Sequence, residues 1–367
     1  MEDNILQTFT MNKATKRAVQ ATARSLIVRL SDRQIFKGVK PSIKEREVTS
    51  VCRLLMEIVV TESVCLEVSL SDPLYIVGDI LGHYKHLMHL FNAFGVPPQT
   101  HYLFLGNYAD VGRMGLETLI LLCCYKVLYP NSIYLLRGKH EVGIISRDYG
   151  LLDECNRRFS QRMWHSFTTL FAYLPVVAIV EEKILCLNGG LSPTLCSRVS
   201  RLNLKNLLRT LISKSEELKP DSLLCHLLWS SPDPETKGWE QNPVGLGYLF
   251  GPEVVRHFCE KAGITQIIRS SEFVLQGYEL FDDTRLLTIF SAPNFMSTYG
   301  NKGAIVKVQK APGQEFSCGI VTMTAELRRL SSSVTREVMN FQEVDFHIDA
   351  ELRKTDSDLR LPPVTCK

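Results

Sequence analysis

Six short apolar runs punctuate this chain, and each closes on a small or polar residue: LYIVGD (74–79), HYLFLGN (101–107), NSIYLLRG (131–138), KILCLNGG (183–190), ITQIIRS (264–270) and LLTIFSAPN (286–294). Runs of this length, stopped by Gly, Asn, Asp or Ser, are the mark of buried strands ending in short loops. Helical segments alternate with them, which specifies an α/β domain. In such domains functional groups gather outside the strand ends, so the loops are where chemistry is sought.

With 367 residues, 45% hydrophobic and 22% charged, the chain has the composition of a globular protein with a sizeable core. A net charge of +3 without a dense Lys/Arg stripe argues against nucleic acid as a partner. The eleven cysteines are odd in number, often set in apolar runs, and include no CxxC pair, so they read as reduced core residues. The longest apolar stretch, FTTLFAYLPVVAIV (167–180), is too short to span a bilayer and carries Pro175. The N-terminus has no apolar signal core. A cytoplasmic or nuclear protein, with no membrane partner, is expected.

Residues 1–24 read as a flexible extension, 25–323 as the domain, and 324–367 as a largely disordered polar tail with a short helix near 334–341. Near Ser42 a helix begins: Ser42 and Glu45 have capping-box spacing, and Val48, Val51, Cys52, Leu55 and Val59 form one apolar face.

The strand-end loops are GDILGHY (78–84), GNYADVG (106–112), RGKHE (137–141), NGGLSP (188–193) and SAPNF (291–295). Their order and spacing, together with DECNRRF (153–159), LWSSPDPETKGW (228–239) and FGPEVV (250–255), resemble the PPP family of serine/threonine phosphoprotein phosphatases, most closely its type-1 catalytic subunit. The resemblance covers roughly residues 25–320. It implies a calcineurin-like metallophosphoesterase fold, with mixed β-sheets packed as a sandwich between helices. It also implies two divalent metals (manganese, iron or zinc) that activate a water for attack on phosphorus, two arginines that clamp the phosphate, and a histidine–aspartate pair that protonates the leaving group.

Carried over residue by residue, the resemblance leaves little of that equipment. Asp79 stays as a metal ligand, but Leu81 stands in place of a histidine and Asn107 in place of the bridging aspartate. Lys139 replaces an asparagine, and Asn188 and Ser271 replace histidines. The clamp arginines are Val111 and Val244, and a tyrosine is Phe295. Asp110 and His140, the proton-donor pair, survive with Arg137 and Glu141.

An ammonium about 4 Å from a divalent ion costs roughly 8 kcal/mol at an effective dielectric of about 20. Lys139 is therefore expected to replace the metals, pairing with Asp79 and bonding the oxygens of Asn107 and Asn188. The blander readings are a loop lysine with no partner, and an Asp110–His140 bond that is only structural. His83, His86 and His89 could suggest a substitute metal site, but their spacing drifts around a helix. GLGYLFG (245–251) lacks a P-loop lysine and reads as a turn, and RRLS (328–331) fits a basic-directed kinase site.

The resemblance further implies a groove for extended V-x-F peptides of regulatory proteins shared with type-1 phosphatases. It would be lined here by Ile184, Leu280, Leu287, Phe316, Cys318 and Ile320, with the acidic rim weakened at Thr265 and Gln266. The plainer alternative is that these side chains complete the β-sandwich. The expected function is a catalytically inactive or strongly impaired phosphatase-like protein that acts by binding others, without a cofactor. The alternatives are an active phosphatase with a non-standard two-metal site around Asp79, Asn107, Asp110 and His140, and a phosphoprotein reader, against which the missing arginines count.

Overall fold

The computed structural model describes residues 10–215, 218–310, 315–331 and 334–344. Two six-stranded sheets lie at its centre. One runs in the order β1 (Cys65–Val68), β5 (Val177–Val180), β6 (Ile184–Leu187), β10 (Gln266–Arg269), β12 (Leu286–Ile289) and β11 (Tyr278–Phe281). The other runs β15 (Val334–Val344), β14 (Phe316–Ser331), β13 (Gly303–Lys310), β2 (Leu74–Val77), β3 (His101–Phe104) and β4 (Ile133–Leu135). A small sheet of β7 (Ser231–Pro232), β9 (Tyr248–Phe250) and β8 (Trp239–Gln241) stands apart.

The period of two along each strand explains how the layers stack. On β2, Ile76 faces the other sheet while Tyr75 and Val77 face helices, and Leu103 and Phe104 divide in the same way on β3. The inter-sheet core gathers Ile76, Leu103, Ile184, Cys186, Ile268, Leu287, Val306 and Ile320. Outside the second sheet lie α1 (Lys13–Leu30), α2 (Glu45–Thr61), α3 (Tyr84–Phe94), α4 (Gly115–Leu128), α6 (Leu151–Arg158) and α7 (Gln161–Ala172), while the short α5 (Gly143–Asp148) packs Ile145 into the core of the first. Outside the first lie α8 (Pro193–Arg198), α9 (Leu204–Leu211), α10 (Leu223–Trp229) and α11 (Pro252–Ala262). This is the sandwich with helical flanks that the sequence leads one to expect. No described helix is long and apolar enough to cross a membrane.

The strands β2, β3 and β4 are mutually parallel, as are β6, β10 and β12. Their C-terminal ends meet along one rim, where an isolated parallel bridge joins Asp79 to Phe290 across the seam of the two sheets. Every strand-end loop singled out in the sequence opens from this rim except the turn within the small sheet.

Three boundaries differ from the sequence reading. Helix α1 crosses the expected extension: the side chain of Asn12 accepts the Thr15 N–H at 2.9 Å, and Val19, Ala23, Leu26 and Leu30 are buried. Many charged residues hide this narrow apolar stripe from a composition argument. Helix α2 buries the expected face but is capped differently. Glu47 reaches back to the Lys44 N–H at 2.9 Å, while the Ser42 carbonyl accepts from Arg29.

The third difference is the tail. In place of a helix near 334–341, β15 folds back antiparallel on β14, pairing from Ser331↔Val334 to Ile320↔Val344. Met339 and Phe341 face the helical layer, and the Phe341 ring meets Phe94 edge-on at 5.1 Å. The backbone of RRLS is the paired end of β14, so a kinase would have to open a strand to reach it. Residues 345–367 lie outside the described part. If the hairpin is an integral layer, Phe341→Ala should cost about 1–3 kcal/mol. Urea denaturation would show this as a lower midpoint at unchanged slope, whereas an unchanged midpoint would mean that the hairpin packs on nothing.

Candidate functional site

Buried polar groups define the rim. Asp79, leaving β2, is 3% exposed. One carboxylate oxygen accepts the Ser271 backbone N–H at 3.0 Å, and the other accepts Nδ2 of Asn107 at 3.0 Å. Asn107 is thereby oriented, and its Oδ1 accepts the His140 backbone N–H at 3.1 Å. Asn188 is committed in the same way. Its Nδ2 donates to the Leu105 carbonyl at 2.9 Å and to Ser270 Oγ at 3.3 Å, and its Oδ1 accepts the Lys139 backbone N–H at 3.0 Å.

Lys139 enters this web differently from the sequence expectation. Its ammonium donates to the Ser271 carbonyl at 2.8 Å and makes no direct ion pair with Asp79. The reason is geometric: Asn107 and the Ser271 peptide already fill the inward face of the carboxylate, and the oxygens of Asn107 and Asn188 are taken by backbone N–H groups. Burial lowers the Lys139 pKa, opposed by the field of Asp79. The main chain of Ser271 thus bridges the two charges, its N–H on Asp79 and its carbonyl on Lys139. A carbonyl has no signature in a sequence, so this partner was invisible there.

Asp110 and His140, expected as a proton-donor pair, are brought together. His140 Nδ1 lies 2.8 Å from an Asp110 oxygen, whose fellow accepts the Leu151 N–H at 3.0 Å, and Tyr149 packs edge-on against the imidazole at 5.3 Å. Burial raises the Asp110 pKa, opposed by its bond to His140. Beneath them Glu141 accepts three backbone N–H groups, from Asn107 at 2.7 Å, Gly138 at 2.9 Å and Tyr108 at 3.0 Å. Burial pushes its carboxyl up to about 7 even against those donors. Arg137 donates to the Glu141 carbonyl at 3.2 Å, and burial depresses its guanidinium to about 10.

These loops are tightly drawn. Gly138 approaches Asn107 so closely that a Cβ there would stand 2.5 Å from Asn107 Oδ1 and 2.8 Å from the Glu141 carboxylate. Leu81, Asn107, Asp110, Val111, Ser271 and Asn294 all hold positive φ, a region that non-glycine residues enter at a cost and that recurs at functional loops.

The donor set does not fit a pair of divalent ions. It offers one carboxylate already holding two N–H groups, two amides engaged at both ends, and an ammonium. Leu81 packs with Phe290 and Ala292 in an apolar plug. No cluster of three or more His, Cys, Asp or Glu able to hold a metal occurs among the described residues. The helical histidines do not converge: His83 and His86 stack at 5.2 Å, while His89 lies edge-on to Phe36 at 5.9 Å. Val111 and Val244 are exposed, 38% and 69%, at the positions assigned to the arginines. Beside the plug, Phe295 joins Phe273 and Tyr299, two residues that the sequence did not single out, in an aromatic rim.

The six expected groove residues divide. Ile184, Leu287, Cys318 and Ile320 are buried between the sheets, as the plainer reading held. Leu280, 42% exposed, and the partly exposed Phe316 reach the surface at the sheet edges. At the expected rim, Gln266 is buried and its amide is bonded to the Thr284 carbonyl.

Comparison with known proteins agrees with this architecture. The calcineurin-like phosphoesterase family matches residues 73–270, just over half of the chain. A serine/threonine phosphatase from Saccharomyces cerevisiae, with similarity to human phosphatase PP5, superposes with a TM-score of 0.69 at 25% identity, covering 86% of this chain and 94% of that one. A cold-active protein-tyrosine phosphatase of a psychrophilic Shewanella species is more distant, with a TM-score of 0.45 and 15% identity over 69% of this chain and 78% of that one, and carries no weight here. With two sheets meeting at a loop-bearing rim, and the Asp110–His140 pair upon it, the chain belongs to the calcineurin-like phosphoesterases.

Proposed function

We propose that this chain is a phosphatase-like protein without phosphatase activity, nearest in kind to the type-1 catalytic subunit, that works by binding other proteins. One observation carries the reading: the Lys139 ammonium sits on the Ser271 carbonyl, while Asp79 is tied to Asn107 and to the N–H of the same residue. Positive charge and hydrogen-bond donors stand where an anionic, metal-binding surface is needed for attack on phosphorus. A lone histidine–aspartate pair engaged in handing a proton to a leaving group cannot also deprotonate the water that attacks from the opposite side. The competing reading, an active enzyme with an unusual metal site, draws on the 2.8 Å Asp110–His140 geometry, which is still that of an oriented general acid. Partners shared with type-1 phosphatases, and a cytoplasmic or nuclear site of action, follow from the same reading.

Elemental analysis of the purified protein should find well below one equivalent of manganese, iron or zinc per chain, and an aryl phosphate should hydrolyse in manganese buffer at the rate of the buffer alone. Two equivalents of metal with turnover would establish the competing reading.

Lys139→Asn should not restore hydrolysis. Leu81, Ser271, Val111 and Val244 would remain, and catalytic elements that act as a unit are strongly non-additive. A phosphatase rate more than about tenfold above buffer, roughly 1.4 kcal/mol of barrier, would show that the ammonium alone silences the site.

A further inference from the structure

Helix α1 packs one face on the domain and leaves the other without a partner. Val19, Ala23, Leu26 and Leu30 are its buried residues. Roughly 140° around the helix from them, at 100° per residue, runs a stripe of Lys13, Arg17, Arg24 and Val28. All four are exposed, Val28 by 72%.

The helix carries five lysines and arginines and no carboxylate. Two of the five are neutralised by helix α2: Lys16 bonds Glu57, and Arg29 meets Glu47 at 2.8 Å. Lys13, Arg17 and Arg24 make no ion pair among the described residues. Their placement is unfavourable in the free protein. Lys13 and Lys16 occupy the first turn, at the positive end of the helix dipole, where carboxylates are favoured and none is present. An anionic partner relieves both the dipole and the mutual repulsion of the stripe.

The spacing says what shape fits. Arg17 and Arg24 are seven residues apart, about 10.5 Å along the axis, which matches carboxylates at i and i+7 on a facing helix. Beside them the exposed side chains of Ala14, Ala18, Ala21 and Ser25 are short, so a second helix can lie close. Val28 offers an apolar contact at the end of the row. Three free cations are fewer than the roughly four to eight that mark a lipid-binding cluster, and a nucleic-acid duplex rewards a wider field.

We infer that the outer face of α1 is a docking surface for an acidic helix of a partner protein, whose carboxylates meet Arg17 and Arg24 and whose apolar side chain covers Val28. Naming a protein as the occupant rests on the binding role proposed above. The charged face itself uses none of the rim loops and does not depend on whether they catalyse.

Titration of the full-length protein with two labelled helical peptides tests the surface. One carries glutamates at i, i+7 and i+14 beside a leucine seam, and the other has the same composition with its glutamates scattered around the helix. Wild type should bind the first at least tenfold more tightly, and raising salt from about 50 to about 500 mM should weaken that binding at least tenfold. Arg17→Glu/Arg24→Glu should lose the preference while keeping the wild-type urea midpoint, because both side chains are exposed. Lys237→Glu/Lys261→Glu, the same change of charge at exposed positions elsewhere, should keep it. No saturable binding, equal affinity for the two peptides, or no response to salt overturns the docking surface. Tighter binding to phosphatidylserine vesicles or to duplex RNA than to the peptide, lost in Arg17→Glu/Arg24→Glu, would also overturn it and assign the face to that ligand. No arm reads metal content or hydrolysis, so this inference and the silent-enzyme reading fail separately.

Discussion

A carboxylate sunk at the seam of two sheets must be met by donors, and how Asp79 is met organises everything around it. Buried charge left uncompensated is among the most costly features a protein can carry. Here an amide, a peptide N–H and the field of a nearby ammonium supply that compensation. Because Asn107 also holds the His140 peptide, and Asn188 the Lys139 peptide, the donors that satisfy the charge fix the positions of the loops as well.

Much of the fold could be read from the chain because burial on both faces of a strand leaves an unmistakable apolar run. LYIV, YLF and ILCL became β2, β3 and β6, and the apolar face of α2 was buried as its spacing required. The elements that were missed share a physical cause. Helix α1 buries a narrow stripe among many charged residues, and β15 sets Met339 and Phe341 between polar neighbours, so both read as polar by composition. Met339 and Phe341 alternate with Asn340 and Gln342, a half-buried pattern that a helical reading of so short a window could not exclude.

At the site, residue identities were legible but partners were not. Leu81, Asn107, Lys139, Asn188 and Ser271 were all singled out, yet the ammonium was assigned to a carboxylate when a main-chain carbonyl was waiting nearer. Side-chain chemistry is written in the sequence, whereas the main-chain groups that a fold brings alongside are not. The groove shows the same limit. Ile184, Leu287, Cys318 and Ile320 were recognised as apolar, but only the strand register distinguishes a lining from a core.

The left-handed residues of the rim loops have a consequence for how this molecule can change. Val111 is β-branched and stands at φ 50°, and Leu81 at φ 49° is little easier to hold. Each such residue is strained by about 1–3 kcal/mol. Where a loop must aim a reactive group, that strain is part of its working geometry. Where it no longer does, the strain is a reserve of stability, open to substitution by Asn or Gly without penalty to any reaction. A silent relative of an enzyme can therefore drift toward greater robustness at the very positions where an active one is held in place.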